Sequence, residues 1–236
     1  AGIWQSEGIF LHAMDLQTGE ALWTNDSSGG IEMPQPHATA TAKSGVSAQG
    51  YLLANEERLF VPTGRAVPAA FERATGKFEY YRLQENTQIG NTAAVLHGEL
   101  FYNGGHAYHT ADGSRLSERI PGTVAAFPGG IIHGVGNKLV AMTVGPKDTF
   151  DRLGKPIVVP AHDARWSVSD VPVGTSLIVA GDKVVSSGQS HIATINIVDG
   201  KPVWTAEVDD VAYGLAVSDG RLFVSTASGA IHCFAA

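Results

Sequence analysis

The fold of this chain is decided by a stretch near its start: residues 13–23 read AMDLQTGEALW. Apolar residues stand on both sides of a short polar segment that ends in Gly19, a pattern typical of two strands joined by a tight turn. Glycine suits such a turn because it adopts positive φ without steric cost. The pattern recurs at residues 70–78, 112–116, 151–155 (a degenerate copy) and 198–204.

A second recurring unit alternates with the first. It is a small turn, usually with a basic residue, followed by an apolar strand, and its copies are residues 57–61, 98–102, 136–140, 181–185 and 219–224. Its anchor residues are 41, 39, 45 and 38 positions apart, at Leu59, Leu100, Leu139, Val184 and Leu222. Two hairpins in about 40 residues make one four-stranded blade. The repeats therefore predict an all-β protein, a β-propeller of four-stranded antiparallel blades.

The pattern Asp-x-x-Thr-Gly-x-x-x-Trp, from Asp15 to Trp23, resembles the repeat of pyrroloquinoline-quinone-type (PQQ-like) β-propellers. The sequence ERLFV at residues 57–61 is similar to the second strand of that repeat. The resemblance covers nearly the whole chain, and residues 144–173 match it poorly. It implies an exported protein, periplasmic or extracellular, although the start of this chain has no signal-peptide pattern. It implies little about activity, because catalysts and assembly factors share the repeat.

The catalytic PQQ dehydrogenases of this family resemble one another in a ring of calcium-binding residues, a catalytic Asp and, often, a vicinal cysteine pair. Cys233 is the only cysteine of this chain, so that pair and any intrachain disulfide are excluded. The other residues cannot be placed by a matching motif. PQQ is therefore not expected as a cofactor.

The strand count predicts about five blades in a single domain over residues 1–236. The chain opens with two strands of one blade at residues 8–24, continues with four complete blades, and ends with three strands at residues 214–234. This arrangement suits a fragment of a larger propeller. Either the two ends meet in a small ring, or the unpaired edges bind another copy, because an open apolar edge promotes aggregation. Of the two, we favour a homodimer.

Charge and hydropathy exclude two kinds of partner. With 16 Lys and Arg against 23 Asp and Glu, the net charge is −7, and no basic run exists to bind nucleic acid. No apolar stretch approaches the roughly 18 residues of a membrane-spanning helix, so insertion into a membrane is not expected.

The repeats also assign each loop to one of the two faces of the predicted propeller. All long connections fall on one face of the predicted propeller, at residues 25–46, 84–91, 117–123 and 144–175. We expect Arg65, His106 and Gln189 to lie at similar positions on that loop-rich face. Arg65 is a candidate for bidentate binding of an anion, or else for a surface ion pair. Trp166 is expected in the longest irregular loop, where it would stack on a sugar or aromatic ligand or else pin the loop to the core.

Histidine is abundant, with nine residues. Neutral imidazole is a common metal ligand, so histidines at the mouth of a propeller are candidates for holding Zn, Mn or Ca. Such an ion would lower the pKa of its bound water and polarise an ester. The alternative is that they are ordinary hydrogen-bonded residues. The candidate ligands are His106, His109, His133 (near an innermost strand), His162 and His191.

Two functions follow. The first is a scaffold that binds a protein, a saccharide or a small molecule through the loop-rich face. The second is a metal-dependent hydrolase of esters or phosphoesters, similar in architecture to lactonase and phosphotriesterase propellers, with a histidine-lined site at the axial mouth. The sequence leaves open whether the protein is an enzyme.

Overall fold

The computed structural model describes residues 10–35, 40–64, 67–82, 90 and 93–235. Within these residues the regular structure is β-strand, apart from one short 3-10 turn at Ser28–Gly30. The chain divides into two compact units, residues 1–120 and residues 121–236. This division does not test the prediction of a single domain.

Unit 1 contains two sheets of four strands, β5-β6-β7-β8 and β9-β10-β11-β12, and two hairpins, β1-β2 and β3-β4. Neighbouring strands are antiparallel and follow one another in the chain. The strands are β1 Leu11–Met14, β2 Ala21–Asn25, β3 Ile31–Pro34, β4 Thr41–Ser44, β5 Leu53–Ala54, β6 Arg58–Val61, β7 Ala69–Glu72, β8 Phe78–Tyr80, β9 Val95–His97, β10 Leu100–Asn103, β11 His106–His109 and β12 Arg115–Arg119.

Unit 2 contains two more four-stranded sheets, β13-β14-β15-β16 and β17-β18-β19-β20, and a three-stranded sheet, β21-β22-β23. The strands are β13 Thr123–Phe127, β14 Gly130–Val135, β15 Lys138–Phe150, β16 Pro156–Ser169, β17 Ser176–Ala180, β18 Lys183–Ser187, β19 His191–Asn196, β20 Pro202–Glu207, β21 Ala212–Ser218, β22 Arg221–Thr226 and β23 Ile231–Ala235. The four complete sheets and the partial sheets β1-β2 and β21-β22-β23 confirm the predicted series of blades, and the β3-β4 hairpin is additional to it.

One copy of the second repeat unit lies on a different strand of its blade from the other copies. Leu139 lies on β15, the third strand of its sheet, whereas the other anchor residues lie on second strands. The second strand is β14. The cause is that inner strands buried on both faces are all apolar, so a turn followed by an apolar strand looks alike at either position. His133 on β14 lies opposite Val124 of the first strand, β13, and is therefore next to an innermost strand as expected.

The predicted loop at residues 144–175 is also wrong over most of its length. Strands β15 and β16 stay paired from Val144↔His162 to Phe150↔Pro156, whereas β14 pairs with β15 only as far as Gly130↔Thr143. We call residues 144–162 the arm. It extends about 23 Å beyond its sheet, at ~3.3 Å per residue. Its tip lies at the end of the sheet opposite to the β14–β15 turn, and therefore away from the predicted loop-rich face.

The segment at residues 25–46 is predicted to be an irregular extended loop, whereas its described residues, 25–35 and 40–46, contain the 3-10 turn and the β3–β4 hairpin. A close approach of two backbones anchors this hairpin. A Cβ atom added to Gly45 would lie 2.3 Å from the carbonyl of Gly29, so no larger residue fits there. The amide of Val46 then donates to the carbonyl of Ser28 at 3.0 Å.

The hydrophobic cores lie between successive sheets. In unit 1, Phe101 stacks on Tyr108 with ring centroids 5.1 Å apart and contacts Phe60 at 5.5 Å. In unit 2, alternate residues of β22 are buried, which places Leu222 and Val224 against the preceding sheet. Fully burying one such side chain contributes about 1.5–3 kcal/mol, so this packing holds neighbouring sheets of the same unit together.

Candidate binding surfaces

Aromatic residues on the outer strands join neighbouring sheets by a repeated contact. The indole Nε1 of Trp23 donates to the carbonyl of Arg73 at 2.9 Å, and the hydroxyl of Tyr80 donates to the carbonyl of Thr110 at 2.9 Å. The indole Nε1 of Trp166 donates to the carbonyl of Ile197, again at 2.9 Å. The next sheet has a five-residue turn that begins at the last residue of its third strand and leads to its fourth strand. In each case the acceptor is the second residue of this turn.

The last residue of each of these turns is a glycine that lies beside the aromatic ring. Gly76, Gly113 and Gly200 have φ of 72°, 69° and 74°. An added Cβ would lie 2.3 Å from the ring of Trp23 at Gly76 and 2.7 Å from the ring of Trp166 at Gly200. Positive φ and close approach therefore both require glycine here.

Trp166 belongs to this repeat and does not lie in an irregular loop, as the sequence predicted. It is half-buried on β16, opposite Ala141 and next to a β-bulge, just as Trp23 lies opposite Ala13. The sequence pattern missed it because the arm separates Trp166 from its turn glycine, Gly154, by 12 positions instead of four. The contact with Ile197 fits the packing alternative, and ligand stacking by Trp166 stays a prediction.

Trp204 has the same position on β20 but makes a different contact. It lies opposite Thr194 beside a bulge, yet its indole N–H has no hydrogen bond to any residue that the structure describes. Its ring packs edge-to-face on Phe234, with centroids 5.1 Å apart and an interplanar angle of 68°, and the residue is 38% exposed. Trp204 is therefore a repeat aromatic whose ring is partly exposed to solvent.

Trp204 lines a groove between the sheet β17–β20 and the sheet β21–β23. The groove has a volume of about 420 Å³. Its walls are largely apolar, with Val185, Val203 and Phe234 among them, and two cations, Lys183 and Arg221, also line it. Lys183 pairs with Asp182 at 2.6 Å, and Arg221 has no ion pair with any residue that the structure describes.

The arm presents a second apolar surface. At its tip Phe150 is 69% exposed, Leu153 is 93% exposed and Val158 is 63% exposed. The tip is ordered by hydrogen bonds, because Oδ1 of Asp151 accepts the amide of Leu153 at 2.8 Å and the amide of Lys155 at 2.9 Å. The turn therefore holds Leu153 towards the solvent.

The five candidate metal ligands are divided between the units: His106 and His109 in unit 1, and His133, His162 and His191 in unit 2. His106 is buried on β11, and its pKa is lowered by burial and by the nearby cations Arg115 and Arg119. This lowered pKa keeps the imidazole neutral.

The other four candidate histidines differ in burial and in contacts. His109 is half-buried, and His162 is buried at the base of the arm. Nδ1 of His133 lies 3.0 Å from the carbonyl of Pro121, and His191 lies 3.4 Å from the carboxylate of Glu207. Among the described residues no three His, Cys, Asp or Glu side chains are grouped to hold a metal ion. The Zn, Mn or Ca site stays a prediction.

The structure gives little information on two further candidate ligand-binding residues. Arg65 lies outside the described residues, so its anion-binding role is untested. Gln189 is exposed in the turn between β18 and β19. The expected convergence of Arg65, His106 and Gln189 on one rim stays a prediction.

A polar cluster that the sequence did not reveal lies around Asp209. One carboxylate oxygen accepts from the hydroxyl of Ser228, and the other lies 2.6 Å from Nε2 of His232. These two hydrogen bonds lower the pKa of Asp209 to about 2. Because the carboxylate of Asp209 lies between Ser228 and His232, the imidazole cannot take the serine proton. We therefore interpret the cluster as a structural contact, and we call these three residues the clasp.

Comparison with known proteins identifies the class of fold. No family model matches the chain, and no curated protein matches it. Among solved structures, BamB from Moraxella catarrhalis is similar over 95% of this chain and 78% of that chain, with 15% identity and a TM-score of 0.51. Sqt1 from Saccharomyces cerevisiae is similar over 95% of this chain and 65% of that chain, with 10% identity and a TM-score of 0.59.

Both similar structures are β-propellers, and the four-stranded antiparallel sheets of this chain are propeller blades. The chain therefore has a β-propeller fold. The part of it that the structure describes contains no helix able to cross a membrane.

Proposed function

We propose that this protein is a PQQ-like β-propeller that binds another protein, and that the arm is its main contact surface. The observation that carries the proposal is the exposed apolar tip formed by Phe150, Leu153 and Val158. Single exposed apolar residues are common on protein surfaces. Three within nine residues, on an element that projects from its sheet, are typical of an interaction site.

The arm replaces the loop-rich face as the proposed contact surface. A two-stranded ribbon offers both an apolar tip and free backbone edges, and a partner can bury the tip without any rearrangement of the blades. A saccharide or small molecule fits this site less well, because such ligands bind in concave pockets and the tip is convex.

The remaining expectations from the sequence are also proposals. Export to the periplasm or the cell exterior rests on the resemblance of the repeat. Membership of the PQQ-like family rests on the motif at Asp15 to Trp23. No contact among the described residues favours the metal-dependent hydrolase over the scaffold.

A photo-crosslinking experiment tests the proposal. A photoreactive phenylalanine analogue is placed at Leu153, and the control carries it at Leu16, which is 100% exposed in the corresponding turn of the β1–β2 hairpin. In extract from the source cells, we expect a discrete crosslinked protein from position 153 and none from position 16. The double variant Phe150→Ser, Val158→Ser should abolish the crosslink while the melting temperature stays unchanged.

Two results would count against the arm. One is the same crosslinked species from both positions, which would mean unspecific contact. The other is a crosslink that survives the double variant, which would place the partner elsewhere.

A further inference from the structure

We propose that the protein bound by the arm contains a cleft with one apolar wall and one acidic wall. This inference rests on the proposed function, because it names the chemistry of the partner that the same arm binds. Three features of the arm support it: the prolines on its edges, its apolar face and its cationic face.

The prolines of the arm make its edges poor templates for an added strand. Pro146 lies opposite Pro160, and Pro156 is four positions before Pro160 on the same strand. Because proline has no N–H, these residues occupy the positions at which an amide would point outwards, away from the neighbouring strand. On β16 the outward amide of Val158 is left between two prolines. Since an added strand needs a run of outward amides, we expect the partner to bind the side chains of the arm.

The register places the exposed apolar side chains on one face of the arm. Opposite residues of an antiparallel pair lie on the same side of the ribbon, and residues along one strand alternate between the two sides. Asp148 lies opposite Val158, so Phe150, two positions after Asp148, shares the face of Val158. The three prolines are also on this face. Apart from the carboxylate of Asp148, it therefore suits an apolar wall.

The opposite face carries two lysines. Lys147 lies opposite Val159, on the other side of the ribbon from Phe150. The amide of Asp151 donates to the carbonyl of Lys155 at 2.9 Å, which continues the pairing by one step and places Lys155 on the face of Lys147. Both lysines are exposed, and neither has an ion pair with any residue that the structure describes.

The charges of this second face indicate carboxylates in the partner. Oδ1 of Asp151 accepts two amides of the tip, so its charge is directed at the backbone and not at the lysines. A cation that enters a cleft loses water, and a carboxylate on the facing wall offsets this cost. A membrane fits less well, because an anionic lipid surface repels a chain with a net charge of −7.

Matched charge reversals test the acidic wall. With the photoreactive analogue at position 153, the yield of crosslinked protein is compared between the unchanged chain and two double variants. The arm variant is Lys147→Glu, Lys155→Glu, and the control is Lys77→Glu, Lys138→Glu, at two exposed lysines outside the arm. We expect about ten-fold less adduct from the arm variant and an unchanged yield from the control. Added salt should lower the yield of the unchanged chain, because it screens the attraction.

Zero-length crosslinking identifies the acidic wall directly. A water-soluble carbodiimide condenses the amine of Lys147 or Lys155 with a carboxylate in contact with it, and mass spectrometry locates the new amide bond in the partner. Replacing the Asp or Glu found there by lysine should restore the adduct with the arm variant. Misfolding of the variant cannot produce such a rescue by charge exchange.

Neighbouring probe positions distinguish the two walls. Val158 and Val159 are adjacent in the chain and lie on opposite faces of the arm. The photoreactive analogue at position 158 should label the apolar wall, and the analogue at position 159 should label the acidic wall. We therefore expect two separate segments of one partner, and a single labelled segment would contradict a cleft.

The results separate this inference from the proposed function. No crosslink from position 153 of the unchanged chain would overturn both. Equal yields from the arm variant and the control would overturn the acidic wall and leave the arm as the contact surface. The inference would also be wrong if the arm bound vesicles that contain phosphatidylserine, or if the adduct contained a second copy of this chain.

Discussion

At the scale of single residues, glycines and aromatic rings set the distance between neighbouring blades. Gly76 and Gly19 have the same turn position and φ of 72° and 74°. Only Gly76 meets a ring, because nothing lies within 4 Å of a Cβ added to Gly19. The pair therefore separates the cost of backbone strain from the cost of a steric clash.

We predict that Gly19→Ala lowers the free energy of unfolding by about 1 kcal/mol, from the positive φ alone. Gly76→Ala should lower it by about 3 kcal/mol, because the methyl group also pushes Trp23 away from the carbonyl of Arg73. Urea unfolding measures both. Equal losses in the two variants would show that the ring contact adds nothing.

The two tryptophans of unit 2 form a second matched pair. Trp166→Phe should cost about 1–2 kcal/mol, because the carbonyl of Ile197 loses its donor. Trp204→Phe should cost less than about 0.5 kcal/mol, since its indole N–H has no partner in the described residues. Thermal unfolding of the two variants tests this order, and a larger loss at Trp204 would contradict it.

Asp209 predicts a dependence of stability on acid pH. Its pKa is lowered to about 2 by hydrogen bonds from Ser228 and His232. A carboxylate with a lowered pKa stabilises the fold above its unfolded pKa, near 4, and this contribution is lost as the pH falls towards 2. The Asp209→Asn variant should therefore lose less stability than the unchanged chain between pH 4 and pH 2. Melting curves across this range test it, and parallel curves would exclude the clasp.

At the scale of secondary-structure elements, the arm is the largest departure from the repeat. Its outer residues pair only with each other, and β14 does not extend along them. Packing of the blade should therefore not require them. The blade depends instead on inner residues such as Leu139 and Ala141, which are fully buried against the next sheet.

We predict that replacing residues 145–161 by Asn-Gly leaves a folded protein. This dipeptide joins Val144 to His162, which already lie opposite each other, through a turn that suits a two-residue hairpin. The free energy of unfolding should change by less than about 1 kcal/mol, and the crosslinked partner should be lost. Unfolding of the shortened chain at room temperature would mean that the arm supports the blade.

At the scale of the whole molecule, the open question is what covers the strand edges. The sequence predicts a homodimer through unpaired edges. Light scattering at micromolar concentration tests this prediction. Twice the mass of 24.8 kDa would support the homodimer, and a stable species near 24.8 kDa would contradict it.

The sequence by itself determined the blades. The alternation of apolar strands with glycine turns, copied from residues 13–23 onwards, predicts antiparallel hairpins, because strand pairing between chain neighbours is a local property. It did not predict the extent of pairing at residues 144–162, since Pro146, Pro156 and Pro160 look like loop residues.

Only the tertiary structure decided which repeats are in contact and which are left open. Trp166 and Trp204 have equivalent positions, yet one donates to the next blade and the other faces a groove. Likewise, Arg58 and Arg221 begin matching strands, yet only Arg58 has a carboxylate partner in the described residues. The difference lies in the strand or turn that packs against each residue, and a repeat pattern within one strand carries no information about the element beside it.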